Sequence, residues 1–274
     1  MTDQPRIKLN DGAAMPQLGF GVWQVPDDQA AGAVKAAIAA GYRSIDTAAI
    51  YGNESGVGEG IRAAGVPRSE LFITTKLWND RQGAEAPLKA FDESLKRLKL
   101  DYVDLYLIHW PAPKQDRYVE SWRALVKLLK GGRARSIGVS NFTTAHLTRI
   151  IDATGVAPAV NQIELHPRLQ QKSLREFHAR HRIATESWSP LGQGKLLEEP
   201  TLAAIAKKHG KTTAQIILRW HLENGLIAIP KSTHESRIRE NFDVFGFKLD
   251  AADMAQIGKL DANGRIGPDP DRFS

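Results

Sequence analysis

Two patterns of hydrophobic and polar residues alternate along the whole chain. Short continuous apolar runs are followed by longer segments with the period of an amphipathic helix, which is typical of βα units around a parallel sheet. Helices cover both faces of such strands, so apolar runs such as 105–108 and 227–229 contain no polar residues. The pattern predicts strands at 17–20, 44–46, 71–75, 103–108, 136–140, 159–163, 183–188 and 226–229.

Helical segments lie between the predicted strands, with start and stop residues at the expected places. Pro87 suits a first helical turn, and Thr212 or Thr213 suits an N-cap, while Gly41 and Gly210 follow helical segments as C-terminal stops. The predicted helices are 28–40, 55–64, 87–98, 118–130, 143–153, 173–180, 213–223 and 235–242.

Eight strands with eight crossovers predict an α/β fold, a single (β/α)₈ TIM barrel domain over residues 1–274. Segments 7–9 and 13–15, joined by an Asn-Asp-Gly turn, read as an N-terminal hairpin that plugs the barrel bottom. Segments 201–209 and 250–260 predict extra helices. A doubly wound sheet is the alternative fold, but the glycines at 56–60 do not follow a strand with the dinucleotide spacing.

Composition and charge restrict the reactions and ligands that the protein can use. The 274 residues include no cysteine, so thiol nucleophiles, disulfides and Cys-ligated metals are excluded. The N-terminus shows no apolar signal segment and no run is long enough to span a bilayer, so we expect a cytoplasmic protein with no membrane association. The net charge of +6 fits an anionic small molecule better than nucleic acid, because the basic residues form no single run. We expect a monomer.

Polar residues follow or end most of the predicted strands. In a parallel barrel the carboxyl ends of the strands and the loops after them form the active-site face. An acid, a base, a histidine and several amides and hydroxyls converging on one rim therefore indicate a functional site. These residues are Asp46, Lys76, His109, Ser140, Asn141, Gln162, Glu164, Trp188, Ser189, Lys231 and Ser232.

Four of the residues near this rim can form a proton donor. Tyrosine normally titrates too high for efficient donation at neutral pH, and an ammonium group at Lys76 would lower the pKa of Tyr51. Asp46 is the expected counter-ion of Lys76, and His109 would orient a substrate carbonyl toward Tyr51. Taken singly, each residue fits an ordinary structural role, but their joint placement favours catalysis.

Three segments of the chain resemble the signatures of the aldo-keto reductases. They are GYRSIDTA at 41–48 with YGNE at 51–54, IGVSNF at 137–142, and IPKS at 229–232 with Arg237, Glu240 and Asn241. The similarity covers essentially the whole chain. Within the family the chain looks closest to the bacterial 2,5-diketo-D-gluconate reductases, through segments 73–80, 160–167, 189–195 and 218–222.

The resemblance implies a barrel that reduces carbonyl groups with NADPH and without a Rossmann fold. Tyr51 would be the general acid, with Asp46, Lys76 and His109 completing a catalytic tetrad. The small carbonyl substrate, a diketo-gluconate or a small dicarbonyl, would contact Trp23, Trp78, His109 and Trp110. The implied cofactor-binding residues are Ser140, Asn141, Gln162, Trp188, Ser189, Pro190, Leu191, Gln193, Gly194, Lys231, Ser232, Arg237, Glu240 and Asn241.

Within this set, Trp188 would stack on the nicotinamide, and Ser140, Asn141 and Gln162 would hold its carboxamide. The cations of Lys231 and Arg237 suit a 2′-phosphate, which favours NADPH over NADH. The glycine-containing loop at 190–195 lets backbone amides approach the pyrophosphate.

Three other functions use the same residues. Lys76 as a Schiff-base nucleophile would make an aldolase, and Asp46 with Glu164 would make a glycosidase pair. Neither explains the polar residues after the fifth and eighth strands. A non-catalytic barrel that binds the nucleotide as a regulatory subunit would keep the cofactor motifs, and the intact tetrad is the feature against it.

Overall fold

Eight parallel strands follow one another in sequence order around a barrel. The structure, a computed structural model, describes residues 4–274, and within them β3 to β10 form one sheet in chain order. This confirms the predicted α/β barrel. The barrel strands are β3 (Phe20–Gly21), β4 (Ser44–Asp46), β5 (Phe72–Leu77), β6 (Val103–Ile108), β7 (Ala134–Ser140), β8 (Val160–Glu164), β9 (Ala184–Trp188) and β10 (Ile227–Ala228).

The barrel closes between its first and last strands. Leu18 forms a parallel bridge with Ala228, and Gly19 donates its backbone N–H to the Ala228 carbonyl at 2.9 Å. The chain packs tightly at Gly19, because a Cβ there would lie 3.0 Å from Ile229 Cγ2 and 3.1 Å from Ser44 Oγ. This closed register rules out the doubly wound alternative, which has two free edges.

Helices cover the outside of the barrel. Gly41 ends α1 in the left-handed conformation at φ 117°, and Thr212 caps α8 through its side chain, both as predicted. The helices are α1 (Asp27–Ala40), α2 (Glu54–Ala63), α3 (Ala86–Leu98), α4 (Tyr118–Lys130), α5 (Thr144–Thr154), α6 (Lys172–His181), α7 (Pro200–His209), α8 (Thr213–Glu223), α9 (Glu235–Phe242) and α10 (Ala251–Gly258). No helix in the described part of the chain is both long and apolar enough to cross a membrane.

The N-terminal hairpin lies at the amino ends of the barrel strands. Its strands, β1 (Arg6–Lys8) and β2 (Ala14–Pro16), pair antiparallel. Leu9 and Met15 pack into the barrel interior with Leu105, Leu107 and Val160, among others. The hairpin therefore closes the end of the barrel opposite the polar rim, as predicted.

Two strand boundaries differ from the prediction in ways that affect the site. The first barrel strand is regular only over Phe20–Gly21, because the preceding residues form the barrel closure. Strand β5 continues to Leu77, two residues beyond the predicted end at 75. Lys76 therefore lies inside a strand, where the ladder fixes its backbone. The single-domain organisation stays a prediction.

Candidate active site

A buried ion pair lies at the carboxyl ends of two neighbouring strands. Asp46 ends β4 and Lys76 lies in β5, with Asp46 paired in register to Thr74. Lys76 Nζ donates to Asp46 Oδ1 and to the Thr47 carbonyl at 2.9 Å, and the Lys76 side chain has no exposed surface. Such a pair is costly to break, about 3–5 kcal/mol for loss of one partner. The barrel therefore holds an ammonium group at a fixed position.

Tyr51 lies beside this ammonium. It ends a 3₁₀ turn (Ala49–Tyr51), and Gly52 then reverses the chain at φ 68°. Lys76 Nζ lies 5.2 Å from the centre of the Tyr51 ring. The expectation of a lowered pKa is wrong for this structure: burial raises the pKa of Tyr51, and Lys76 only partly opposes that rise. Tyr51 is therefore a phenol at neutral pH, with a cation placed to stabilise its phenolate.

His109 faces Tyr51 as a neutral imidazole. The two rings are 5.7 Å apart, and the His109 ring also meets Trp78 edge-on at 5.1 Å. Burial, and after it the charge of Lys76, hold the pKa of His109 well below its ordinary value. His109 follows β6, and Asn141 Nδ2 donates to its backbone carbonyl at 3.0 Å. A neutral ring in this position can hydrogen-bond an uncharged carbonyl oxygen.

One cavity of about 980 Å³ brings the predicted residues together at the carboxyl end of the barrel. Every predicted site residue except Lys76 and Glu164 lines it; Lys76 lies behind Asp46 and Tyr51, and Glu164 lies outside the cavity lining. The lining residues that had been predicted are Trp23, Asp46, Tyr51, Trp78, His109, Trp110, Ser140, Asn141, Gln162, Trp188, Ser189, Pro190, Leu191, Gln193, Gly194, Lys231, Ser232, Arg237, Glu240 and Asn241.

The deep end of the cavity offers an aromatic face with amide groups beside it. Trp188 ends β9, and its Nε1 donates to Asn141 Oδ1 at 2.8 Å, which fixes the orientation of the indole. Asn141 has a φ of 63°, which asparagine tolerates better than most residues. Ser140 Oγ donates to the Gln162 carbonyl at 2.8 Å. A flat heteroaromatic ring with an amide substituent fits these groups.

The other end of the cavity carries free cations next to exposed backbone. Lys231 and Arg237 form no ion pair with any described residue. Gln193 and Gly194 are exposed and have left-handed φ values of 54° and 86°, but the Gly194 N–H already donates to the Leu191 carbonyl at 3.1 Å. Ser232 Oγ accepts the His234 N–H at 3.1 Å and precedes α9. This donor set fits phosphate groups.

The C-terminal segment forms one wall of the cavity. The buried carboxylate of Glu164, at the end of β8, accepts the backbone N–H groups of Ile266 and Gly267 at 2.6 and 2.8 Å. Phe273 then packs on Trp110 with ring centres 4.6 Å apart. Burial raises the pKa of Glu164, but the hydrogen bonds outweigh it and lower the pKa overall.

Sequence reasoning missed several residues of this site, and three of them matter for its chemistry. Phe273 and Ile50 line the cavity but lie in a tail and a short turn, where no periodicity marks a cavity-lining position. Glu186 lies inside the barrel and hydrogen-bonds Gln162. It stands two residues before Trp188 in the predicted strand 183–188, and that spacing was a signal that it shares the inward face.

The geometry disfavours two of the alternative functions. Lys76 is held as an ammonium by Asp46, and an ammonium is a poor Schiff-base nucleophile. The Glu164 carboxylate is already hydrogen-bonded to His166 and to the backbone N–H groups of Ile266 and Gly267. It is therefore not available to act with Asp46 in glycoside hydrolysis. Within residues 4–274, no group of three or more acidic or histidine side chains is arranged to hold a metal ion.

The barrel without a Rossmann fold, together with a Tyr–Lys–Asp–His cluster, defines a class of oxidoreductase site. Comparison with known proteins leads to the same class. Residues 15–262 match the model of the aldo/keto reductase family, and the chain belongs to that family.

The chain also resembles individual family members over nearly its full length. It is 58% identical to methylglyoxal reductase DkgA of Yersinia pestis over 275 residues, covering 100% of this chain and 99% of that protein. The crystal structure of a Gox0644 mutant in complex with NADPH superposes with a TM-score of 0.96 at 55% identity, covering 99% of both chains. An aldo/keto reductase from Brucella melitensis gives a TM-score of 0.92 at 61% identity, covering 94% of this chain and 100% of that one.

Proposed function

We propose that this protein reduces small aldehydes and dicarbonyl compounds to alcohols with NADPH, with Tyr51 as the general acid. Family membership supports reduction of carbonyl groups. The relative named as a methylglyoxal reductase supports a small dicarbonyl substrate, and the structure solved with NADPH supports the cofactor.

The observation that carries the proposal is the position of Lys76. Its ammonium is fully buried, bound to Asp46 and to the Thr47 carbonyl, and adjacent to the Tyr51 ring. A structural ion pair would need no ionisable phenol beside it at the mouth of a cavity. Burial keeps the phenol protonated in the resting protein, and the Lys76 ammonium is placed to stabilise the phenolate that proton donation leaves.

The residues of this chain would act in a fixed order. His109 donates a hydrogen bond to the substrate carbonyl oxygen and holds it toward Tyr51 Oη. Tyr51 gives its proton to that oxygen as negative charge develops there, and Lys76 stabilises the resulting phenolate. Solvent then reprotonates Tyr51. When bound, the cofactor supplies the hydride that the carbonyl carbon accepts.

The two ends of the cavity would hold the two ends of the cofactor. Trp188 offers the stacking face for the nicotinamide, while Asn141 Oδ1 and the side chain of Gln162 lie beside it. Lys231 and Arg237 lie at the opposite end, where their unpaired charges suit a 2′-phosphate. Glu240, by contrast, accepts a hydrogen bond from the Thr212 hydroxyl at 2.8 Å. We therefore assign Glu240 to holding the start of α8 next to the end of the cavity that carries Lys231 and Arg237.

The charge of the cavity favours neutral substrates. Its charged lining residues are Asp46, Lys231, Arg237 and Glu240, and both cations belong to the end assigned to phosphates. The part next to Tyr51 is lined by aromatic and apolar side chains such as Trp78, Trp110 and Phe273. A substrate carboxylate would find no cation there. We therefore place small neutral dicarbonyls ahead of diketo acids.

The test is NADPH consumption by the purified protein. We expect the absorbance of NADPH to fall when methylglyoxal is added, with one alcohol formed for each NADPH oxidised. A protein that binds NADPH yet oxidises none of it across a panel of aldehydes, ketones and dicarbonyls would instead be a nucleotide-binding regulatory barrel.

A further inference from the structure

A second carboxyl group lies inside the barrel below the tetrad. Glu186 is in β9, two residues before Trp188, and its side chain is fully buried. Its neighbours in the ladder are Gln162 on β8 and Ile227 on β10. The catalytic steps described above do not use it.

Gln162 connects this carboxyl group to the tetrad. Its Nε2 donates to Glu186 Oε2 and to Asp46 Oδ2, both at 2.8 Å. Each of the two hydrogens on this amide nitrogen therefore binds a different carboxyl group. The side-chain oxygen of Gln162 accepts no hydrogen bond from any described residue, and Gln162 lines the cavity. Because the side-chain nitrogen is held by the two carboxyl groups, the oxygen is the amide atom left to face the cavity.

The surroundings of Glu186 do not favour a negative charge. Its other oxygen, Oε1, is buried and has no hydrogen-bond partner. The charged and titratable groups that face it are Asp46, Lys76 and Tyr51 across the barrel, while β8 offers the neutral Gln162 and β10 the apolar Ile227. Burial, and next the charge of Asp46, raise the pKa of Glu186 to about 8. The buried, partly unpartnered site therefore favours the neutral carboxylic acid over the carboxylate at neutral pH.

We propose that Glu186 is a positioning residue that acts on proton donation through Gln162 and Asp46. While neutral, it holds Gln162 and leaves Asp46 as the single counter-ion of Lys76. When ionised, it places a second negative charge below Tyr51 and disfavours the phenolate that forms as Tyr51 Oη loses its proton to the substrate oxygen. This inference rests on the proposed reduction of carbonyl groups by this site.

Single-turnover kinetics across pH test the effect on the reaction. We expect the rate of NADPH oxidation by wild-type protein with methylglyoxal to fall at least threefold between about pH 7 and 9.5, as Glu186 ionises. Glu186→Gln and Glu186→Leu remove the ionisable group, so each profile, normalised to its own maximum, should lose this decline. Glu54→Gln is the matched control, because Glu54 is equally buried but pairs with Arg97 and should leave the decline in place.

Infrared spectroscopy of the protein without cofactor tests the protonation state directly. The wild-type spectrum at pH 7 should contain a protonated carboxyl band that disappears on titration with a midpoint near 8 and is missing from Glu186→Gln. A decline that persists in both Glu186 variants, or a spectrum without that band, would overturn the inference. Wild-type protein that reduces no carbonyl compound would overturn the proposed function instead, while the infrared band would still report on Glu186.

Discussion

Gly267 lies so close to Trp188 that no side chain fits between them. A Cβ on Gly267 would come within 2.4 Å of Trp188 Cη2 and 3.0 Å of Glu164 Oε2. Since the Gly267 N–H also binds Glu164, the C-terminal segment and the proposed nicotinamide face are fixed relative to one another. The tail thus contacts the proposed cofactor site and also contributes Phe273 to the proposed substrate pocket.

Gly267→Ala should therefore disturb both stability and cofactor binding. The added methyl group must displace the tail or tilt the Trp188 ring, and such overpacking costs about 1–3 kcal/mol. We expect a lower free energy of unfolding in urea and a raised Kd for NADPH, measured by tryptophan fluorescence. Gly258→Ala is the matched control, because nothing lies within 4 Å of its Cβ position. Equal behaviour of the two variants would contradict the packing argument.

Reversing the charges at Lys231 and Arg237 should change cofactor choice. The double variant Lys231→Glu, Arg237→Glu removes the cations assigned to the 2′-phosphate, so the Kd for NADPH should rise about 10- to 100-fold, corresponding to one or two lost charge-assisted contacts. The Kd for NADH should change much less. Arg239→Glu serves as the control, because Arg239 lies on the same helix but pairs with Glu235. An equal loss of affinity for NADPH and NADH would show that these cations do not bind the 2′-phosphate.

A cation added at the mouth of the substrate pocket should improve the use of anionic substrates. Ile50 lines the cavity next to Tyr51 and is 48% exposed, so an arginine there can reach a substrate carboxylate without being buried. Ile50→Arg should raise kcat/KM for 2,5-diketo-D-gluconate relative to that for methylglyoxal about 5-fold or more, the worth of one exposed charge-assisted contact. Ile50→Gln, which is polar but uncharged, should leave the ratio unchanged. A wild-type preference for the diketo acid would contradict the charge argument.

Acid should destabilise the protein before its carboxylates titrate. Burial lowers the pKa of His178 to about 3 and that of His221 to about 4. Below the ordinary histidine value, the unfolded chain binds protons on these side chains that the folded protein does not, so stability is lost as the pH falls. We expect the free energy of unfolding to drop by about 2 kcal/mol between pH 6 and 5 from these two residues.

Urea denaturation at several pH values measures this loss. His178→Gln should make the free energy of unfolding fall about 1 kcal/mol less over that interval, because one of the two titrations is removed. His234→Gln replaces an exposed histidine and should keep the wild-type slope. Identical slopes in all three proteins would show that His178 has the same proton affinity in the folded protein as in the unfolded chain.

Much of the barrel and its polar rim was predictable because each follows from a local rule. Uninterrupted apolar runs mark strands covered on both faces, and polar residues at their ends mark the catalytic face. Asp46, Lys76 and His109 stand at those ends, and this is why the sequence alone places them together.

The parts that sequence reasoning missed depend on three-dimensional neighbours. Phe273 reaches the site from a tail held by Glu164, a contact between residues about a hundred positions apart. The direction of the Tyr51 pKa shift was wrong because the sequence identifies the neighbouring cation but not the degree of burial, which is the larger effect. Glu186 was overlooked although its spacing from Trp188 marked it as inward-facing.

Proton donation by Tyr51 is the central claim, and Tyr51→Phe tests it most directly. The substitution removes only the hydroxyl group, so the protein should still bind NADPH, as followed by fluorescence, while kcat for methylglyoxal falls about 10²- to 10⁴-fold. Tyr102→Phe, which keeps the ring that Arg68 and Arg135 cover, is the control and should retain full activity. A Tyr51→Phe protein that oxidises NADPH at the wild-type rate would contradict the account.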